Sequence, residues 1–168
     1  PRQRVLAALN HQQPDKVPID FSAHRSSGIS AIAYAKLRRH LELPERPIRV
    51  YDMIQQLAIV DPDVLDRFGV DTIEMGRGFL ADDRDWKDWT LPDGTPCQIP
   101  FYVNVHREGP HWLICSDSGI PLGIQKKGCL YFEQLHFPFL ERPIQDDDFA
   151  DLAIQFGRTM WTGVAHPG

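Results

Sequence analysis

The sequence predicts an α/β fold in which a parallel sheet or barrel is followed by an antiparallel β region. Up to residue 75, helical segments alternate with short apolar strands in the order helix, strand, helix, strand, helix, strand, which is typical of parallel α/β architectures. Between 82 and 139 there is no helical period, and short aromatic or β-branched runs are separated by turn residues. A hydrophobic fraction of 42% over 168 residues is sufficient for a real core.

Three helices are predicted in the first half of the chain. The first spans 4–10 and ends before a proline, because the residue preceding proline is disfavoured in a helix. The second lies within 28–41, where apolar residues recur at helical spacing. The third starts at Asp61-Pro62 and ends at Gly69, since these residue types favour the N-cap, the first helical position and the position just past a helix.

Short apolar runs at 17–21, 48–52 and 70–75 are predicted as three parallel strands. Residues 53–58 suggest one or two helical turns after the second strand. Apolar residues at spacings of three, four, seven and eleven predict a last helix over 149–160, capped by the acidic residues before it.

Strands of the antiparallel region are predicted at 86–91, 102–106 and 112–115, each followed by a turn that contains glycine. We therefore divide the chain into first βα units (1–81), an antiparallel β insertion (82–140) and a following helix (141–168). Because the chain begins without Met and stops after an amphipathic helix, we expect it to be a piece of a longer protein.

Charge and cysteine content exclude several function classes. The net charge is −5 and the basic residues are scattered, which argues against nucleic-acid binding. The basic group Lys36, Arg38, Arg39 and His40 is interpreted as a solvated helix face. No apolar run is long enough to cross a membrane and no secretion signal begins the chain, so we expect a cytoplasmic protein. The three cysteines are widely spaced, which predicts neither a disulfide framework nor a zinc finger.

Polar residues follow each predicted strand, where parallel α/β proteins place their functional groups. The candidate site residues are Asp20, His24, Arg25, Asp52, Gln55 and Glu74. Arginine and histidine in one loop could meet an anionic ligand. The alternative is that the aspartates are turn or cap residues and the bases lie on the surface. On the functional interpretation, Asp52 is partly buried and faces the same cavity as His24.

Several segments together resemble the uroporphyrinogen decarboxylase superfamily, and in particular the branch that includes cobamide-dependent methyltransferases. These segments are RQRVLAALN (2–10), PDKVPID (14–20), Tyr51-Asp52 with QQLA (55–58), DVLDRFGVD (63–71), the Asp93-Gly94 turn, GCLYFE (128–133) and Pro138. The resemblance runs through most of the chain.

This resemblance implies the N-terminal part of a TIM-type (β/α)8 barrel with an antiparallel β excursion, since a full barrel takes about 250 residues. Asp52 falls at the position whose aspartate holds the pyrrole nitrogens of the substrate in the decarboxylase branch. That branch also has a stretch with two arginines after the first strand. Here the stretch reads SAHRSS (22–27) with Arg25 alone, and a polycarboxylate substrate would need paired cations.

The resemblance therefore favours a methyltransferase or demethylase component that works with a cobamide carried by a corrinoid protein. Asp52 is its catalytic candidate, and the other candidates bind a small-molecule or corrinoid substrate. Zinc is expected in a missing C-terminal half, with no metal ligand in this chain. A porphyrinogen or aromatic-acid decarboxylase is the first alternative. The second is a non-catalytic half-barrel that binds a partner, forms a homo-oligomer or awaits its other half.

Overall fold

The computed structural model describes residues 1–74, 80, 82–137, 140, 143 and 145. Three helices lie in the first half of the chain: α1 Arg2–Leu9, α2 Ala31–His40 and α3 Pro62–Phe68. A small hairpin separates α2 from α3: β1 Val50–Asp52 and β2 Leu57–Ala58. Six further strands follow: β3 Trp86–Thr90, β4 Pro96–Pro100, β5 Asn104–Glu108, β6 His111–Cys115, β7 Pro121–Gln125 and β8 Glu133–Gln134.

All three predicted helices of the first half are confirmed. The side chain of Ser30 accepts a hydrogen bond from the Ala33 amide and so caps α2. Helix α3 has Pro62 in its first turn and ends at Gly69, whose φ of 60° is left-handed and suits glycine. Asp61 precedes α3 as predicted, but its carboxylate makes no capping bond.

That carboxylate instead belongs to a buried network around Arg38 of α2. The Arg38 guanidinium donates to Asp61 Oδ2 at 2.8 Å and to both carboxylate oxygens of Asp63 at 2.9 and 3.1 Å. It also donates to the Pro44 carbonyl, and the Tyr34 hydroxyl donates to Asp61 Oδ2 at 2.6 Å. The interpretation of Arg38 as part of a solvated face is therefore wrong, because this residue ties α2 to the start of α3.

The prediction of parallel strands is wrong in three places. Strand β1 pairs with β2 in antiparallel register, because residues 53–56 form a tight turn rather than a helix and so short a connection can only return the chain antiparallel. Residues 17–21 and 70–74 form no strand, and Met75 lies outside the described residues. These two segments still lie side by side, with the Asp71 amide donating to the Ile19 carbonyl at 2.8 Å.

A side chain interrupts the ladder between these two segments. The amide of Ile19 donates to Asp71 Oδ2 at 3.0 Å instead of to a main-chain carbonyl. Pro18 has no amide hydrogen to contribute. Asp71 is in turn held by an ion pair with Arg4 of α1. The segments therefore lie adjacent without forming a regular sheet.

The antiparallel prediction for 82–139 is confirmed over its described residues. Strands β3 and β4 form one hairpin, and β5, β6, β7 and β8 form a four-stranded sheet in that order. Gly94 and Gly109 occupy the hairpin turns with positive φ values of 86° and 55°, which glycine adopts at little cost. The indole rings of Trp89 and Trp112 pack edge to face at 6.1 Å between centroids.

One hydrophobic core joins the two halves of the described chain. Strand β1 lies against β4, and the Gln98 amide donates to the Ile48 carbonyl at 2.8 Å. The core combines buried residues from both sides of the predicted domain boundary at 81/82: Tyr34, Val50, Met53 and Val64 from the first half, and Leu91, Ile99, Ile114 and Phe132 from the β region. Segments 1–81 and 82–140 therefore pack as one unit where they are described.

The described residues thus form a mixed α/β structure with small antiparallel sheets, and they contain no closed barrel. Among them, no helix has the length and apolar character needed to cross a membrane. The predicted last helix over 149–160 and nearly all of segment 141–168 lie outside the described residues.

Candidate functional site

A buried ion pair connects two of the candidate site residues. Asp52 ends β1 and is only 2% exposed. Its Oδ2 lies 3.1 Å from Nε of Arg25, which starts a short 3₁₀ helix, Arg25–Ser27. The expectation that Asp52 is buried is confirmed, and its contact with the loop after residue 21 joins two segments that are far apart in sequence.

The surroundings of Asp52 adjust how readily its carboxyl group holds a proton. Burial raises the pKa of Asp52 above its ordinary value of 3.8, because a desolvated carboxylate loses the hydration that stabilises its charge. The Gln55 amide, which donates to Asp52 Oδ1 at 3.0 Å, and the positive charge of Arg25 partly oppose that rise in pKa. Asp52 therefore keeps its proton to a higher pH than an exposed aspartate does.

His24 lies next to Arg25 in the chain, but its ring is bonded within its own loop. Nδ1 of His24 accepts a hydrogen bond from the Ser26 amide at 3.2 Å, which places the proton of the neutral ring on Nε2. The residue is exposed. Arg25 rather than His24 makes the contact with Asp52, which corrects the expectation that His24 and Asp52 converge.

The remaining candidates, Gln55, Asp20 and Glu74, have different surroundings. Gln55 is exposed and reaches Asp52 through its backbone amide alone. Asp20 accepts hydrogen bonds from the Ala23 amide at 3.1 Å and from Thr72 Oγ1 at 3.0 Å, so it acts as the turn residue of the alternative interpretation. Glu74 is half-buried and lines a separate cavity beside the loop. The structure thus brings together Arg25, Asp52 and the backbone of Gln55.

Gln56 and Ser22 are buried polar residues that were not among the candidates. Gln56 is fully buried with a φ of 52°, and neither atom of its side-chain amide has a hydrogen-bond partner in the described part of the chain. The hydroxyl of Ser22 also lacks a hydrogen-bond partner among the described residues. The Gln55-Gln56 pair is visible in the sequence, but only the β1–β2 turn decides which of the two points inward.

The resemblance implies zinc ligands in a missing C-terminal half and none in this chain. Within the part of the chain that the structure describes, no three His, Cys, Asp or Glu side chains come together to hold a metal ion. Two nearby groups, Cys115 Sγ and His106 Nε2, approach to 3.9 Å on neighbouring strands, which is one pair and not a coordination set. We therefore derive no chemical step through zinc.

Replacing the buried carboxyl group should change how stability depends on pH. The folded protein holds the Asp52 proton more tightly than the unfolded chain, so the contribution of Asp52 to stability falls as pH rises above about 3.8. We expect the wild type to lose stability relative to Asp52→Asn as pH increases above about 3.8. Urea unfolding at each pH measures the difference, and a difference that grows in the opposite direction would contradict the burial effect.

No family model matches the chain, and neither the curated proteins nor the solved structures compared with it give a significant match. Assignment to a family is therefore a proposal that depends on the residues that carry the resemblance and on the geometry around Asp52.

Proposed function

We propose that this chain is the N-terminal part of a cytoplasmic TIM-type barrel enzyme of the uroporphyrinogen decarboxylase superfamily, which transfers a methyl group to or from a corrinoid carrier. The observation that carries the proposal is the buried ion pair between Arg25 and Asp52. Asp52 is the residue to which the resemblance gives a substrate contact. A buried carboxylate that touches a loop of small polar residues is a common feature of binding sites.

The arrangement of residues 17–21 and 70–74 supports the barrel. The paired residues advance in the same sense along the two segments, from Ile19 with Asp71 to Asp20 with Thr72, as they do in neighbouring parallel strands. Val17 and Ile73 in these segments are 79% and 74% exposed. Further barrel strands, from a C-terminal half or from a second copy of the chain, would cover such apolar side chains.

The roles of this chain's residues in methyl transfer follow from their positions. A corrinoid, delivered to this site by a partner protein, would supply the carrier of the methyl group. Asp52 accepts hydrogen bonds from the substrate or holds its proton in a site shielded from water. Arg25 orients that carboxylate through its contact with Asp52 Oδ2 and brings a positive charge to the proposed site. His24 is exposed, and the Ser26 contact fixes its ring. Its Nε2–H group therefore supplies a hydrogen-bond donor at the surface of the loop.

A decarboxylase is the second candidate, because the buried carboxylate of Asp52 could stabilise a protonated pyrrole. The loop 22–27 offers one arginine, and this arginine is already paired with Asp52. A substrate with many carboxylates requires several cations in a desolvated pocket, so the charge of the loop favours methyl transfer. A half-barrel without catalytic activity that binds a partner is the third candidate, supported by the exposure of Val17 and Ile73.

Absorption spectra separate these functions. We expect the chain to change the spectrum of added methylcobalamin and not that of added uroporphyrinogen. Asp52→Asn and Arg25→Gln should each weaken the binding of methylcobalamin by about tenfold or more, since each breaks the ion pair that orients the proposed site. Glu133→Gln, which alters an exposed ion pair with Lys126, is the matched control. A response to porphyrinogen alone would favour the decarboxylase, and no response to either compound would favour the non-catalytic half-barrel.

A further inference from the structure

An open groove of about 530 Å³ lies between the β3–β4 hairpin and the segment that precedes β1. This volume is within the range of about 300 to 1,000 Å³ that is typical of small-molecule sites. The groove is lined by two exposed prolines, a half-buried indole and three polar side chains: Pro47, Pro96, Trp89, Arg46, Asp88 and Gln98. None of these residues belongs to the ion pair of Asp52.

Two prolines explain why the groove is open at this place. Residues 46–49 run parallel to β4, since Arg49 and Gln98 form a parallel bridge and the Gln98 amide donates to the Ile48 carbonyl at 2.8 Å. Two positions earlier on each segment, Pro47 comes opposite Pro96. The next hydrogen bond of a parallel ladder would come from the amide of residue 96, and proline has no amide hydrogen. Pro96 therefore ends this ladder, and the groove begins where the ladder ends.

Opposite charges line the groove without pairing with each other. The Arg46 side chain is 50% exposed, and its ionic contact within the described chain is a long one, 3.9 Å from Nη1 to Asp61 Oδ1. Asp88 is exposed, and its Oδ1 accepts a hydrogen bond from Gln98 Nε2 at 3.2 Å. Arg49 Nε donates to the amide oxygen of Gln98 at 3.2 Å, which fixes the orientation of that amide. Over the described residues, Arg46 donates no hydrogen bond and Asp88 Oδ2 accepts none.

These two charges determine which ligand the groove fits. A guanidinium matches a carboxylate through its planar fork of N–H groups, and an ionised carboxylate accepts hydrogen bonds from an ammonium group. A ligand with a single charge would use one of the two groups, whereas a ligand with opposite charges at its two ends uses both. The exposed rings of Pro47 and Pro96 suit an apolar body between those ends.

We propose that this groove binds a zwitterion with an apolar body, which is the chemistry of an apolar dipeptide. The terminal carboxylate contacts Arg46, the terminal ammonium group contacts Asp88, and the apolar side chains lie against the two prolines. The site does not depend on the proposed methyl transfer, since neither Asp52 nor a corrinoid takes part in the binding.

Three probes with the same apolar body test the ligand chemistry on the wild-type chain: leucyl-leucine, its N-acetyl form and its C-terminal amide. At about pH 6 the free termini of these probes are charged, so the acetyl form lacks the positive charge and the amide form lacks the negative one. Binding is followed by NMR through the backbone amide signals of Trp89, Thr90 and Gln98, which line the groove.

We expect leucyl-leucine to shift these signals at millimolar concentrations. Each blocked form should bind at least about threefold more weakly, because one exposed ion pair is lost. Equal binding of leucyl-leucine and either blocked form, or no shift with leucyl-leucine, would overturn the proposal.

Two variants assign each end of the ligand to one charge. Asp88→Asn should bind leucyl-leucine and its N-acetyl form with nearly equal affinity, because the anion that attracts the ammonium group is gone, and it should still prefer leucyl-leucine to the amide form. Arg46→Gln should show the opposite pattern. Both residues are exposed, and thermal melting checks that each variant folds.

Arg84→Gln is the matched control, since Arg84 is 84% exposed beside the same hairpin and pairs with Asp82. It should bind all three probes like the wild type. Loss of the same preference in Asp88→Asn and Arg46→Gln, loss in the control, or no loss in either variant would contradict the assigned contacts.

Discussion

Arg38→Ala is expected to lower the free energy of unfolding by about 3 kcal/mol, which is the lower end of the range for breaking a buried ion pair by removing one partner. The guanidinium of Arg38 bridges Asp61 and Asp63, which precede and begin α3, while its own helix carries Tyr34. Its loss leaves the two carboxylates close together with only the half-exposed Arg46 nearby, whose Nη1 lies 3.9 Å from Asp61 Oδ1. They are 22% and 24% exposed, so water recovers part of the energy. Urea denaturation at pH 7 measures the change.

Arg39→Ala is the matched control for this prediction, because Arg39 follows Arg38 in the same helix and is exposed. Its replacement should change stability by less than about 0.5 kcal/mol. A second check uses pH. The hydrogen bond from Arg38 holds the pKa of Asp63 below its ordinary value of 3.8, so this part of the stabilisation is complete above that pH and disappears as pH falls through the lowered pKa. Equal losses from both variants, or a loss that does not diminish in acid, would contradict the network.

The local parts of the fold were predictable from sequence, and the pairing of its strands was not. Helix α3 is marked by Pro62 and Gly69, which act within a few residues of their own positions. The hairpins of the β region are likewise marked by their turns. The partner of β1, by contrast, depends on a tight turn at 53–56 whose residues also suit a helix. The predicted strand at 70–75 does not form over its described residues, because the Asp71 side chain accepts the hydrogen bond of the Ile19 amide, which a regular ladder would need.

The candidate site was predictable only where local sequence signals mark it. Placing polar residues after apolar runs selected Arg25 and Asp52, and the fold brings these two into contact. The same rule also selected Asp20, which closes a local turn. It could not select Ser22 or Gln56, since their burial follows from backbone conformations with positive φ that neither residue type favours. Burial of Arg38 was missed because the helix carries basic residues on either side of it.

The second large effect is expected in the hydrophobic core, which is continuous across the predicted domain boundary at 81/82. Ile99 of β4 is 1% exposed and packs in the same core as Val50 and Met53. Ile99→Ala is expected to lower the free energy of unfolding by about 3 kcal/mol, through lost apolar burial and the cavity that remains. Because the core is continuous, the whole described unit should lose stability together and still unfold in one transition.

Hydrogen exchange measured by mass spectrometry tests this coupling. In Ile99→Ala, the amides of α2 and β1 should lose as much protection as those of β6, because one global unfolding event exposes them all. Ile120→Ala is the matched control, since Ile120 is 45% exposed at a hairpin turn; its replacement should leave both regions within about 0.5 kcal/mol of the wild type. If Ile99→Ala accelerated exchange in the β strands alone and left α2 unchanged, the β region would be an independent domain. The ion pair of Asp52, at the end of β1, would then gain no rigidity from the strands packed against it.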